Sequence, residues 1–73
     1  MEMRSPKNPS SHIHSVGFDE ETGTLAVRFH RGGTYHYHGV GAETARGLYS
    51  AGSCGEFFCS KVKGKFNHKR IAR

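Results

Sequence analysis

The feature that most constrains the fold is a strand pattern with two tyrosines, residues 34–38, with glycines on both sides. Residues two apart on a strand project from the same face, so Tyr35 and Tyr37 share one face of a sheet. A helix signal follows directly after Val40. A chain of 73 residues has room for one domain with a small core. Aromatic side chains must then supply much of the buried area.

Two further strand patterns precede this one. Residues 24–30 alternate apolar and polar side chains, which is typical of a half-buried strand. Residues 11–18 form a first strand whose apolar phase changes near Ser15, and this change predicts a β-bulge. An acidic loop that ends at Gly23 joins the two strands, and Gly23 is free to adopt a positive φ. Together the patterns predict a three-stranded antiparallel meander.

The hairpin before the third strand leaves its register open. A loop of Gly32 and Gly33 alone places Tyr35 opposite His30, on the outer face of the sheet. A loop that also includes Arg31 places Tyr35 opposite Phe29, and both tyrosines then join the core face. We favour the second register because so small a chain needs both rings buried.

Two helix signals follow the strands. The first covers residues 41–51, although Gly47 weakens it. The second begins with a capping box at Ser53 and Glu56, in which each side chain bonds the backbone of the other residue. Phe58 and Val62 are spaced to pack on the sheet. The predicted fold is therefore α+β, a three-stranded antiparallel meander packed against two short C-terminal helices.

The two ends of the chain are predicted to lie outside the packed domain. Residues 1–10 contain both prolines and few apolar residues, which predicts a disordered arm. Residues 11–66 form a single domain, and residues 67–73 form a flexible basic tail. No apolar run approaches the roughly 20 residues of a membrane span, and the N-terminus lacks a signal peptide, so we expect a cytoplasmic protein that contacts no membrane.

The net charge is +5, and basic residues are concentrated towards the C-terminus. Such a segment attracts phosphates or acidic protein surfaces, unless it serves only to keep the chain soluble. Cys54 and Cys59 are the two cysteines of the sequence. A disulfide between them would close a very small loop, so we expect reduced thiols.

Six histidines and two cysteines invite a metal or catalytic hypothesis. His12 and His14 lie on the first strand and His36 and His38 on the third, which places the pairs about 9–10 Å apart, too far to share one ion. We therefore expect a solvated histidine face, no metal and no cofactor. No acid–base partner is spaced to activate a cysteine, so no enzyme is expected, although a cysteine at the start of a helix would have a lowered pKa.

The ordered set of motifs, from about Ser11 to Phe66, resembles the KTSC domain family, known from the C-terminus of some lysyl-tRNA synthetases and from stand-alone bacterial proteins. The resemblance is carried by residues 16–19, by Leu25, Val27 and Phe29, by residues 33–40, and by 55–58 with 63–66. Gly41 stands where the family usually has a proline.

Within that family, the length, basic end and free arm are most similar to a phage-encoded member that binds bacterial RNA polymerase. The resemblance implies a non-catalytic transcription regulator in the bacterial host cytoplasm. It would bind the N-terminal part of the largest (β′) subunit, inhibit initiation and promote antitermination. The alternative is an RNA-binding module of KTSC type, with the basic C-terminus on nucleic acid. A monomer is expected in either case.

The residues predicted to bind the protein partner are basic or aromatic. They are Arg28, His30, Arg31, Phe57, Lys61, Lys63 and Lys65. On the RNA-binding hypothesis residues 61–73 are the main contact, which Arg28, Arg31 and Arg46 could extend. Phe57 is expected to be the apolar anchor of a protein interface, because aromatic residues are common anchors there. The tyrosines would stack on bases only if they were exposed. No catalytic residue and no metal ligand are predicted.

Overall fold

The structure, a computed structural model, describes residues 3–8 and 10–72. The elements in chain order are β1 Ile13–Asp19, β2 Thr24–Phe29, β3 Thr34–His38, α1 Ala42–Ser50, α2 Cys54–Lys61 and β4 Asn67–Ala72. The strands form one antiparallel sheet in the order β1-β2-β3-β4. An α+β fold with an antiparallel sheet and two helices is thus confirmed. The sheet has four strands, so the prediction of three is wrong.

The fourth strand comes from the segment predicted to be a flexible basic tail, of which residue 73 lies outside the described residues. All residues of β4 are exposed, so the sequence shows no alternation of apolar and polar side chains. The strand is held by pairing with β3, in which His68 lies opposite Tyr37 and Arg70 opposite Tyr35. This pairing satisfies backbone groups of β3 that would otherwise form an open edge.

The tyrosines lie on the core face, but in neither of the two predicted registers. Tyr35 lies opposite Val27. The hairpin is longer than the glycines alone indicate, and within it the N–H of Phe29 donates to the carbonyl of Gly33 at 2.9 Å. A shift of two residues from the favoured register keeps every side chain on its predicted face. The face of both tyrosines is therefore confirmed, and the predicted pairing of Tyr35 is wrong.

Two local predictions are confirmed in the first hairpin. The pairing of β1 with β2 shifts between Ile13 and Ser15, which leaves His14 as the extra residue of a bulge. Gly23 has a φ of 68°, the left-handed conformation expected for this loop. Its carbonyl accepts a hydrogen bond from the N–H of Val40 at 2.9 Å, which ties the loop to the chain before α1.

Both helices pack on one face of the sheet and enclose the core. The predicted start of α2 is confirmed, because the Ser53 hydroxyl oxygen accepts a hydrogen bond from the N–H of Glu56 at 3.3 Å. Phe58 and Val62 face the core as predicted. The buried apolar side chains of the core are Ile13, Val16, Leu25, Val27, Tyr37, Val40, Ala45, Leu48, Cys54, Phe58 and Val62.

The N-terminal segment covers the β1 edge of the sheet. Arg4 and Val16 exchange two backbone hydrogen bonds of 2.8 Å. The N–H of Lys7 donates to the carbonyl of Tyr49 at the end of α1, at 2.9 Å. The segment predicted to be a disordered arm is therefore attached to β1 and to the end of α1 in the structure, while its residues 1, 2 and 9 lie outside the described residues.

The helix–helix contact explains why α1 contains a glycine. A Cβ atom on Gly47 would lie 2.6 Å from Cζ of Phe57, whose ring crosses α1 at this point. Glycine costs a helix about 1 kcal/mol relative to alanine. Here the missing side chain provides the space for the ring, so the two helices can pack closely.

We expect Gly47→Ala to lower the free energy of unfolding by about 1 kcal/mol, because the Phe57 ring must move and this outweighs the gain in helix propensity. Gly52→Ala is the matched control, since a Cβ at that position meets no atom within 4 Å. Urea denaturation of both variants measures the effect. A Gly47→Ala protein as stable as the wild type, or more stable, would show that the ring does not need this space.

Candidate functional site

An open groove lies on the core face of the sheet beside α2. Its volume is about 510 Å³, within the range of ligand-binding clefts. Arg31 and Lys63 contribute to its lining. We call it the aromatic groove, because its lining includes Phe29, Tyr35, Tyr37, Phe58 and His68.

Tyr37 contacts an aromatic ring of α2 and an imidazole of β4. Its ring centroid lies 5.4 Å from that of Phe58 in α2, edge to face at 78°. On the other side the centroid of His68 in β4 lies 5.3 Å away, at 32°. Tyr37 is only 6% exposed, and this burial, with a smaller effect of the neighbouring Tyr35, raises its pKa. Tyr37 therefore stays a neutral phenol near pH 7 and forms the wall of the groove.

Tyr35 and His68 extend this wall towards solvent. Tyr35 is half-buried and packs edge to face on Phe29, with centroids 5.8 Å apart. His68 is exposed, and its ring centroid lies 5.8 Å from that of Tyr35 at an angle of 52°. Both residues line the groove, and both are less buried than Tyr37.

The predicted cations of the C-terminal half lie at or beside the groove. Lys63 lines it, together with Arg31 from the β2–β3 loop. Lys61 ends α2 and Lys65 follows the turn, and both side chains are exposed. The turn is made by Gly64, with a φ of 75°, so the chain reverses here and leads into β4. Of the seven predicted residues, Arg31 and Lys63 thus line the groove, and Lys61 and Lys65 lie two residues before and after Lys63 in the chain.

Arg28 and His30 lie away from the groove. Arg28 is exposed on the opposite face of the sheet, since its neighbours along β2 point into the core. Nε2 of His30 lies 3.0 Å from the carbonyl oxygen of Ser10. The His30 ring also contacts His14 edge to face, with centroids 5.4 Å apart. These two predicted residues therefore do not share a surface with the lysines.

The structure gives Phe57 a packing role between the helices. Its ring is half-buried, lies over Gly47 and contacts the core. Sequence analysis did not single out His68 as a site residue, because its neighbours are set by the unpredicted strand β4. The pairing of β4 with β3 places this imidazole beside Tyr35 and Tyr37, and the sequence alone does not indicate that pairing.

The cysteines differ in environment. Cys54 is the first residue of α2 and is buried, and this burial raises the pKa of its thiol. The lowered pKa considered for a cysteine at the start of a helix is not found at Cys54, because burial of the thiol disfavours the thiolate. Cys59 is exposed and lines the groove with His12. Across the described part of the chain, no hydrogen bond joins Cys59 to an imidazole.

The described residues contain neither a cluster of metal ligands nor a helix suited to crossing a membrane. Among residues 3–8 and 10–72, no group of three or more His, Cys, Asp or Glu side chains is arranged to hold a metal ion. No helix in the same part of the chain has the length and apolar content needed to cross a membrane.

We expect one thiol, Cys59, to react rapidly with Ellman's reagent in the native protein, and Cys54 to react only on unfolding. Cys59→Ser should remove the fast phase and Cys54→Ala should keep it. Folding raises the pKa of the Cys54 thiol above its ordinary value of 9.0. The buried thiol therefore contributes stability at pH values below that ordinary pKa, and this contribution is lost as the pH rises through the raised pKa. Two fast thiols in the native chain would contradict this assignment.

Comparison with known proteins assigns the chain to a family. The sequence profile of the KTSC domain matches residues 9–66. A protein of Tsukamurella paurometabola is 40% identical over 57 residues, which cover 78% of this chain and 85% of that protein. The crystal structure of a KTSC domain protein from Yersinia pestis superposes with a TM-score of 0.87 at 37% identity, and covers 96% of this chain and 99% of that one. The chain therefore belongs to the KTSC domain family.

Proposed function

We propose that this protein is a non-catalytic module that binds single-stranded nucleic acid in the aromatic groove, with RNA as the first ligand to test. The observation that carries the proposal is the groove lined by half-buried Tyr35 and exposed His68 together with Arg31 and Lys63. Aromatic faces stack on unpaired bases of any sequence, and nearby cations bind the phosphates between them. A duplex hides its base faces, so a single strand is the better fit.

The distribution of charge supports the same proposal. The sequence has no acidic residue from 61 to 73 and six basic ones, so the turn after α2 and β4 form a cationic margin next to the groove. Three of the acidic residues follow one another in the β1–β2 loop, Asp19 to Glu21. That loop precedes β2, whereas Arg31 follows it. The acidic residues and Arg31 therefore lie at opposite ends of β2, and an incoming phosphate chain is attracted to the Arg31 end.

Loss of the groove cations should weaken nucleic-acid binding much more than loss of the same charge elsewhere. The groove variant carries Gln at Arg31 and Lys63, which line the groove, and at Lys65, which lies two residues after Lys63. The matched control carries Gln at Lys7, Arg28 and Arg46, none of which lines the groove. Fluorescence anisotropy with a labelled oligouridylate should show an affinity about tenfold lower for the groove variant. Its salt slope should also be smaller, by about 0.7 for each lost phosphate contact.

Equal losses in the two triple variants would mean that binding follows net charge alone, and would contradict the proposal. His68→Ala adds a test of stacking, because its side chain is exposed and Tyr37 keeps its contact with Phe58 when the imidazole is removed; circular dichroism checks that the variant is folded. A stacked base contributes about 1–3 kcal/mol, so this variant should bind more weakly at every salt concentration.

We also propose a second function, regulation of bacterial RNA polymerase by direct binding. It is supported by the resemblance of the chain's length and basic end to a phage-encoded family member. It is also supported by the exposed lysines Lys61, Lys63 and Lys65, which suit an acidic protein surface as well as phosphates. The partner would be the N-terminal part of the β′ subunit, with inhibition of initiation and antitermination as the effects. Membership of the KTSC family does not by itself carry this proposal.

Capture on the immobilised protein from a nuclease-treated bacterial lysate tests the second proposal. We expect RNA polymerase subunits to be retained after nuclease treatment, and the purified protein to reduce promoter initiation and terminator release in transcription assays. His68→Ala, which keeps Lys61, Lys63 and Lys65, serves as the control for capture through bound RNA. If polymerase is not captured, or is lost when the nucleic acid is digested, direct binding is contradicted. The nucleic-acid-binding module then remains as the proposed function.

A further inference from the structure

The two edges of the sheet differ in what covers them. At the β1 edge, Arg4 pairs with Val16 through two backbone hydrogen bonds. At the other edge, no segment within residues 3–8 and 10–72 pairs with the outer side of β4. Alternate N–H and C=O groups of an edge strand point away from the sheet and can pair with an incoming extended chain. The β4 edge is therefore a template for strand addition.

The regular part of this edge runs from Asn67 to Arg70. Beyond it the pairing with β3 shifts, which leaves Ile71 as the extra residue of a bulge. Lys69 lies opposite His36 and so projects from the face of the sheet that is turned away from the helices. Arg70 lies opposite Tyr35 and projects from the face that carries the groove. Two adjacent residues thus present a positive charge on each face of the edge, and both side chains are exposed.

These charges decide which strand can be added. A second copy that paired through its own β4 would place one basic strand against another, with lysine and arginine on both, and like charges on neighbouring strands are destabilising. Lysine on an edge strand is a known protection against such self-association. An extended segment with carboxylates is not rejected in this way, because its charges complement those of the edge.

We infer that the outer edge of β4 from Asn67 to Arg70 docks an extended acidic segment of a partner protein by strand addition. Two adjacent carboxylates of that segment lie on opposite faces of the added strand, one beside Lys69 and the other beside Arg70. Backbone hydrogen bonds provide affinity, and the charge pattern selects an acidic strand. The inference does not rest on nucleic-acid binding, because it concerns the edge of the sheet and not the groove.

A capped peptide of sequence Thr-Val-Glu-Glu-Val-Thr is the probe, titrated into the full-length, isotope-labelled protein. We expect amide chemical-shift changes centred on β4, and slower hydrogen exchange at alternate residues of that strand. The same peptide with N-methyl groups on both glutamates keeps its charge but loses two donors. It should bind about tenfold more weakly or not at all. A peptide with lysine in place of glutamate should not bind.

Charge reversal in the protein provides the matched test. The double variant Lys69→Glu with Arg70→Glu should lose the glutamate peptide and gain the lysine peptide, whereas Lys7→Glu with Arg46→Glu should change neither result. Two results would overturn the inference: equal binding of the N-methylated peptide, or shifts centred on the aromatic groove. A wild-type dimer that dissociates when β4 is charge-reversed would also overturn it, since the occupant would then be a second copy.

Discussion

The structure depends on the ring of Tyr37, which packs between Phe58 of α2 and His68 of β4. A core this small gains only a few kcal/mol from burial, so one aromatic ring that joins the helix, the sheet and the edge strand is a large part of what holds them together. The same arrangement creates the candidate site. Tyr37 fills the space between the sheet and α2. Tyr35, two residues earlier on the same face of β3, therefore lies at the open side of the groove, next to the exposed imidazole of His68.

Local rules predict the first half of this fold and miss the end of it. Alternating apolar residues in β2, the phase change near Ser15 and the capping box of Ser53 each specify their element without help from tertiary structure. β4 has no such pattern, because a strand exposed on both faces is held by its backbone partner and not by an apolar face. The register of Tyr35 was missed for a related reason, since two glycines in a hairpin do not fix the length of the loop.

The candidate site could be predicted only in part, because it is made by elements that are distant in sequence. Lys61, Lys63 and Lys65 were recognisable as a basic segment, but their relation to the tyrosines depends on how α2 packs and on where the turn at Gly64 directs the chain. Phe57 was predicted as an apolar anchor, and nothing in the sequence indicates that its ring packs over Gly47. The kind of ligand is therefore indicated by the residue types in the sequence, whereas the position of the binding site depends on how the elements pack.

Ultraviolet cross-linking of the protein to an oligonucleotide that contains 4-thiouridine, followed by mass spectrometry of the linked peptides, tests the central claim most directly. The aromatic groove as the binding site predicts cross-links at Tyr35 and His68, which weaken when Arg31, Lys63 and Lys65 are replaced by Gln. Cross-links confined to the opposite face of the sheet, around Arg28 and His36, would contradict it. So would a binding oligonucleotide that forms no cross-link in the groove.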